Sequence, residues 1–270
     1  MIRPQENQYG CEISIEGATG IAIPGEDFKN SIAKRAVRIG IFDKTKREYV
    51  ANAVQVEADW AENARDKWIF KKTNTSLNPV LFRSTKRDDL NLENMQFVFE
   101  FVIYYKQGNT SSELCCGWAC TDDLSVVSRS IKVPLEVQGG SPTSKIMIQA
   151  GDVDTKRTGF QGFLKAFGGK IKNQITVNFK PHTSLEPDTK LHMQFLPSTC
   201  LVQKKMLLFV SAYRNYAGKQ LLKQGNLGGQ FKQPGGSVVL SCFPKIIDNI
   251  DILETVLHVW QTEHVAALSA

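Results

Sequence analysis

The chain has 270 residues, 42% of them hydrophobic, and 33 Lys and Arg against 27 Asp and Glu give a formal net charge of +6. This apolar content can fill one large core or two small ones, which excludes disorder throughout. The first residues lack the apolar run of a signal peptide, and the strongest later run, 206–210, is far shorter than the ~20 residues of a membrane span, so a soluble cytoplasmic protein is expected.

The two-residue period of half-buried strands starts early. Ile13 and Ile15 alternate with Glu12, Ser14 and Glu16, residues 37–42 alternate cleanly, and Val50, Val54 and Val56 form one even-numbered set. The run 97–105 is continuously apolar and aromatic, with Glu100 its one charge, so it is expected at a central position covered on both faces. After the turn Gly108-Asn109, residues 113–121 return as its hairpin partner. Further strands are expected at 132–138, 146–149, 175–179, 191–195 and 206–214.

Such short strands, split by Gly, Pro, Asn and Asp, predict an antiparallel β-sandwich. The Gly- and Pro-rich composition around 216–244 reads as a linker. Beyond it Ile246, Ile250, Leu253, Leu257 and Trp260 recur at helical intervals, which predicts an amphipathic helix over 248–264 with Asp248 as its N-cap. The expected division is 1–215 sandwich, 216–244 linker and 245–270 helical segment.

Enzyme motifs fail on inspection. Neither Gly140-Ser141-Pro142 nor Gly236-Ser237-Val238 supplies the second glycine of a nucleophile elbow. The stretch Gly168-Gly169-Lys170-Ile171 lacks the first glycine and the magnesium-binding hydroxyl of a phosphate loop. No cofactor is implied.

Among the six cysteines, Cys115, Cys116 and Cys120 cluster around Trp118. With no export signal they are expected reduced. On a regular strand Cys116 and Cys120 share a face roughly 13 Å apart at ~3.3 Å per residue, too far to ligate one ion, so Cys116 and Trp118 are expected as core and no metal site is assigned. The aspartates at 43, 88, 89, 122, 123, 152 and 154 suit turns better than a calcium site.

The strongest binding signal is a basic, aromatic segment. Lys156, Arg157, Lys165, Lys170 and Lys172 surround Phe160, Phe163 and Phe167 with no intervening acid. Such a loop suits contact with an acidic partner or an anionic membrane surface, and its bland alternative is that the phenylalanines fold back on the sheet. Basic pairs elsewhere are scattered among acids, and no nucleic-acid partner is expected.

Glu113-Leu114-Cys115-Cys116-Gly117-Trp118 resembles the E-L-x-C-G-W stretch of the nephrocystin-1 family. Ile23-Pro24-Gly25, Val37 to Asp43, Gly139-Gly140-Ser141-Pro142, the stretch 208–223, Phe243-Pro244 and Trp260 match that family in the same order, with Ala22 in place of a family proline. The resemblance implies a C2-like sandwich and a non-catalytic adaptor. It also implies a site at the ciliary transition zone and cell junctions, with nephrocystin-4 and other transition-zone or junction proteins as partners. The family's SH3 domain and coiled coil have no counterpart here. A peripheral lipid-binding C2-type module is the alternative.

Overall fold

The computed structural model describes residues 8–21, 23, 31–61, 64–72, 75–76, 78–85, 92–142, 173–197, 199–215, 255, 258–259 and 262. These are mostly antiparallel β structure in two facing layers. In the first layer β1 (Gln8–Thr19) lies between β11 (Gln174–Pro181) on one side and β7 (Val80–Thr85) on the other, with β10 (Ile131–Glu136) beyond β11 and β12 (Thr199–Gln203) beyond β7. The second layer runs β3 (Glu48–Ala61), β2 (Ile32–Asp43), β8 (Met95–Gln107), β9 (Thr110–Cys120). The short strand β4 (Ala64–Ile69) pairs with the end of β1 and the end of β3, and so turns the corner between the layers. Two-residue strands β5 (Lys71–Lys72) and β6 (Thr75–Ser76) pair with each other.

Alternation explains the core. Cys11, Ile13 and Ile15 of β1, Val37, Ile39 and Ile41 of β2, Phe97, Phe99, Phe101 and Ile103 of β8, and Ile175, Val177 and Phe179 of β11 all point between the layers. Phe97 packs edge-on to Phe82 at 5.3 Å and stacks on Phe179 at 5.7 Å, joining one layer to the other. As its apolar run requires, β8 is buried on both faces, with Val98 and Val102 covered on the outer side.

The two long sides of the sandwich are each laced shut. On one, Trp118 of β9 exchanges both backbone hydrogen bonds with Gln138, at 2.8 and 2.7 Å. Gly117 makes this approach possible: its φ is +144°, and a Cβ there would stand 2.7 Å from the Gln138 carbonyl. On the other, Asn52 and Gln203 bridge β3 and β12 through side-chain amides.

Two expected strands are helices. Residues 191–195 belong to α1 (Pro187–Met193) and the turn after it, and 206–214 fall in a turn (Lys204–Met206) and α2, residues 207–215. The outer face of β7 and β12 carries Leu81, Cys200 and Val202, and these need an apolar cover. Met193, Leu196, Met206, Leu207, Phe209 and Val210 supply it from the helical layer. Buried Arg83 fastens the chain after α1 by donating to the carbonyls of Leu196 and of Pro197. The stretch 208–223, which the family resemblance implies is a strand, is instead helical over its described part, 208–215. The expected strand at 146–149 and the linker at 216–244 lie outside the described residues. Thr255, His258, Val259 and Thr262 are exposed and helical, within the helix that the C-terminal periodicity predicts over 248–264.

Candidate functional site

At one end of the sandwich the inward-facing positions of β2 and β3 stop being aliphatic. Arg35 continues the Val37, Ile39, Ile41 set, opposite Ala58 on β3 and Ile103 on β8. Trp60 continues the Val56, Ala58 set and pairs with Trp68 of β4. The Arg35 guanidinium, 2% exposed, lies 4.4 Å from the Trp60 ring centre and 5.7 Å from that of Trp68. Trp68 is fully buried and edge-on to Phe101, whereas Trp60 is 36% exposed at the rim. Stacking on aromatic faces lets a charged group sit inside an apolar end.

Arg35, Ala58 and Trp60 line a groove of about 430 Å³ with Lys34, Glu57, Asp59 and Asn78. Lys34 is paired with Glu57 and lies 5.8 Å from the Tyr104 ring centre. The groove thus offers one half-exposed indole flanked by charges of both signs. Trp and Arg of this kind dominate the energetics of protein interfaces.

The outer face beside it is a cross-strand polar network. Arg38 of β2 donates to the Tyr104 hydroxyl at 3.0 Å and pairs with Glu113, and Tyr104 donates onward to Gln55 at 2.7 Å. Burial works against the charge on Arg38, but the bonds to Glu113 and Tyr104 outweigh it and hold the guanidinium more basic than usual.

The thiols are tuned away from nucleophilic chemistry. Burial pushes Cys115, Cys116 and Cys200 up to about 12 and raises Cys11 and Cys120 as well. The five described cysteines are free thiols. His192 is bonded to Ser211 at 2.9 Å, linking α1 to α2, and burial beside Lys190 and Arg83 keeps His182 less basic. Asp43 accepts from the N–H groups of Thr45 and Lys46, and Asp123 from that of Ser125, so both serve turns. Among the described residues no three His, Cys, Asp or Glu gather as a metal site would require.

The structure places the sequence-stated residues unevenly. Trp118 is fully buried, but on the outer face, against Phe42, Val98 and Cys120. Cys116 is buried on the inner face, because a bulge opposite Phe101 and Val102 inserts it as an extra residue. The expectation that Cys116 and Cys120 share a face is therefore corrected: the bulge reverses the alternation between them. Lys156, Arg157, Phe160, Phe163, Lys165, Phe167, Lys170 and Lys172 lie outside the described residues. The stem of that segment is described: β10 and β11 pair up to Glu136 and Gln174, and the Val137 N–H donates to the Asn173 carbonyl at 2.8 Å. Arg35 and Trp60 were not singled out from the sequence, although Trp60 extends the even-numbered set begun at Val50.

No family model matches the chain, and no curated protein matches it. It is similar to a solved structure described as "CC2D1B coordinates ESRCT-III activity during the mitotic reformation of the nuclear envelope", at 11% identity and a TM-score of 0.33, over 75% of this chain and 66% of that one. The chain thus spans just under two thirds of that structure, and a likeness of this score carries no argument. Among the described residues no helix is long and apolar enough to cross a membrane.

Proposed function

We propose that this chain is a non-catalytic protein-interaction module on a C2-like sandwich, and that it recognises its partner through the groove between β2 and β3. The half-exposed Trp60 stacked over the buried Arg35 carries this reading. A rigid aromatic anchor held by the core, with Lys34, Glu57 and Asp59 around it, suits a charged segment of another protein. The raised thiols are in keeping with a non-catalytic role. The finer reading, a nephrocystin-like adaptor of the ciliary base and cell junctions that binds nephrocystin-4, rests on the ordered sequence matches alone.

Affinity capture from ciliated cells tests both levels. Wild-type bait is expected to retain transition-zone proteins and the Trp60→Ala bait to lose them, with Trp118→Ala as the unfolded control. Equal capture by wild type and Trp60→Ala removes the groove from the account. Capture through the groove of proteins unrelated to cilia keeps the module and removes the nephrocystin reading.

The basic aromatic composition of 156–172, on the β10–β11 stem, supports weak anionic membrane contact as a second reading. Flotation with phosphatidylserine vesicles tests it, and unchanged binding of a Lys165→Glu/Lys170→Glu variant removes it.

A further inference from the structure

In β8 the Lys106 N–H donates to Ser31, on the β2 side. Alternation then turns the backbone groups of Tyr104 and Lys106 towards β2 and those of Ile103, Tyr105 and Gln107 towards β9. Their β9 partners follow: Leu114, Ser112 and Thr110 bond to β8, whereas Glu113 and Ser111, opposite Tyr104 and Lys106, direct N–H and C=O outward. Further along β9 the outer edge is covered, by the Trp118–Gln138 pair and by Gly140, whose carbonyl takes the Cys115 thiol at 3.3 Å. From Ser111 to Glu113 no strand lies alongside among the described residues. This stretch has no Pro, Lys or bulge, the usual guards of an exposed edge.

The edge is complementary to itself. In an antiparallel pairing of two copies centred on Ser112, Ser111 of each faces Glu113 of the other, and those are the two residues whose groups point outward. Glu113 is kept off its own image. It lies instead in one cross-strand row with Ser111 and Lys106 of the second copy, carboxylate beside ammonium across a small serine. Shifting the centre to Glu113 would set like charges face to face. We propose that β9 pairs with β9 of a second copy about a two-fold axis at Ser112, joining two second layers into one continuous sheet.

Sedimentation of the full chain tests this, with Ser111→Pro and single cysteine variants. Proline at 111 removes an outward N–H and leaves the β8 ladder intact. Wild type is expected to approach the dimer mass with rising concentration, and Ser111→Pro to stay monomeric with an unchanged melting temperature. At the two-fold the Ser112 Cα atoms of a non-hydrogen-bonded pair stand about 4.5 Å apart, within disulfide reach. Mild oxidation should therefore cross-link Ser112→Cys and leave Ser111→Cys, which faces Glu113, uncrosslinked. A wild type that is monomeric at every concentration, a dimeric Ser111→Pro, or cross-linking through 111 in preference to 112 overturns the proposal.

Discussion

The side-chain amide of Asn52 pairs with Leu201 as a neighbouring strand would: its Nδ2 donates to the Leu201 carbonyl at 2.8 Å and its Oδ1 accepts the Leu201 N–H at 3.0 Å. With the Gln203 amide, which donates to the Gln55 carbonyl, it closes the sandwich along this side. The position of Asn52 is set by a bulge in β3, where the stretch between Val50 and Val54 stands opposite Gly40 alone and Ala51 takes φ +64°.

Asn52→Ala leaves both Leu201 backbone groups without these partners and should lower stability by about 1–3 kcal/mol in urea unfolding. Ala51→Gly should act the other way, by about 0.5–1 kcal/mol, since glycine adopts the left-handed region without a Cβ penalty. An unchanged midpoint for Asn52→Ala would mean that this bridge is not formed in solution.

The opposite side depends on Gly117. Any side chain there meets the Gln138 carbonyl at 2.7 Å while φ sits at +144°. Gly117→Ala should therefore open the seam, with faster amide exchange at Trp118 and Gln138 and a stability loss of about 2–4 kcal/mol. Protection at these two amides equal to wild type would contradict the close approach.

Trp118 fills the cluster with Phe42 and Val98 under that seam. Truncation to alanine should remove about 3–5 kcal/mol. A soluble variant with wild-type stability would show that this cluster is not packed.

The raised thiols give the stability a sign with pH. Unfolded cysteine titrates near about 8.5, whereas burial holds the proton on Cys115, Cys116 and Cys200 to about 12. Between those values the folded state binds more protons than the unfolded one. The contribution of these thiols to stability is therefore level below about pH 8 and falls as pH rises, by up to about 1.4 kcal/mol per pH unit for each of Cys116 and Cys200 and by less for the partly exposed, solvent-screened Cys115. Melting temperatures from pH 7 to 10 should follow this course, with a shallower alkaline fall in a Cys116→Ala/Cys200→Ala variant. An equal fall in that variant would remove the thiols as the cause.

What could be read from the sequence was what a single period encodes. The strands β1, β2 and β3 were legible because one face of each meets the core and alternation records it, whereas β8 was legible as an unbroken apolar run buried on both faces and β9 as its return after the Gly108-Asn109 turn. The run 206–210 misled because a short, continuous apolar stretch carries no period. In the fold Leu207, Phe209 and Val210 are buried while Leu208 and Ala212 are exposed, a helical spacing visible only once the run is followed to residue 213. For α1 a signal was present, Pro187 at the first turn followed by Asp188, and it marks a helix start rather than a strand. The strand β4 left little trace because its six residues turn a corner. The groove was hidden for a different reason: Arg35, Trp60 and Asn78 come from three separate stretches, and only the pairing of β2 with β3 sets the first two side by side.

The most direct test of the central claim is hydrogen exchange on the chain alone and bound to the protein it captures. Recognition through the groove predicts slowed exchange at 33–35 and 57–60, lost in the Trp60→Ala variant. A footprint elsewhere, with these two stretches unchanged, would contradict it.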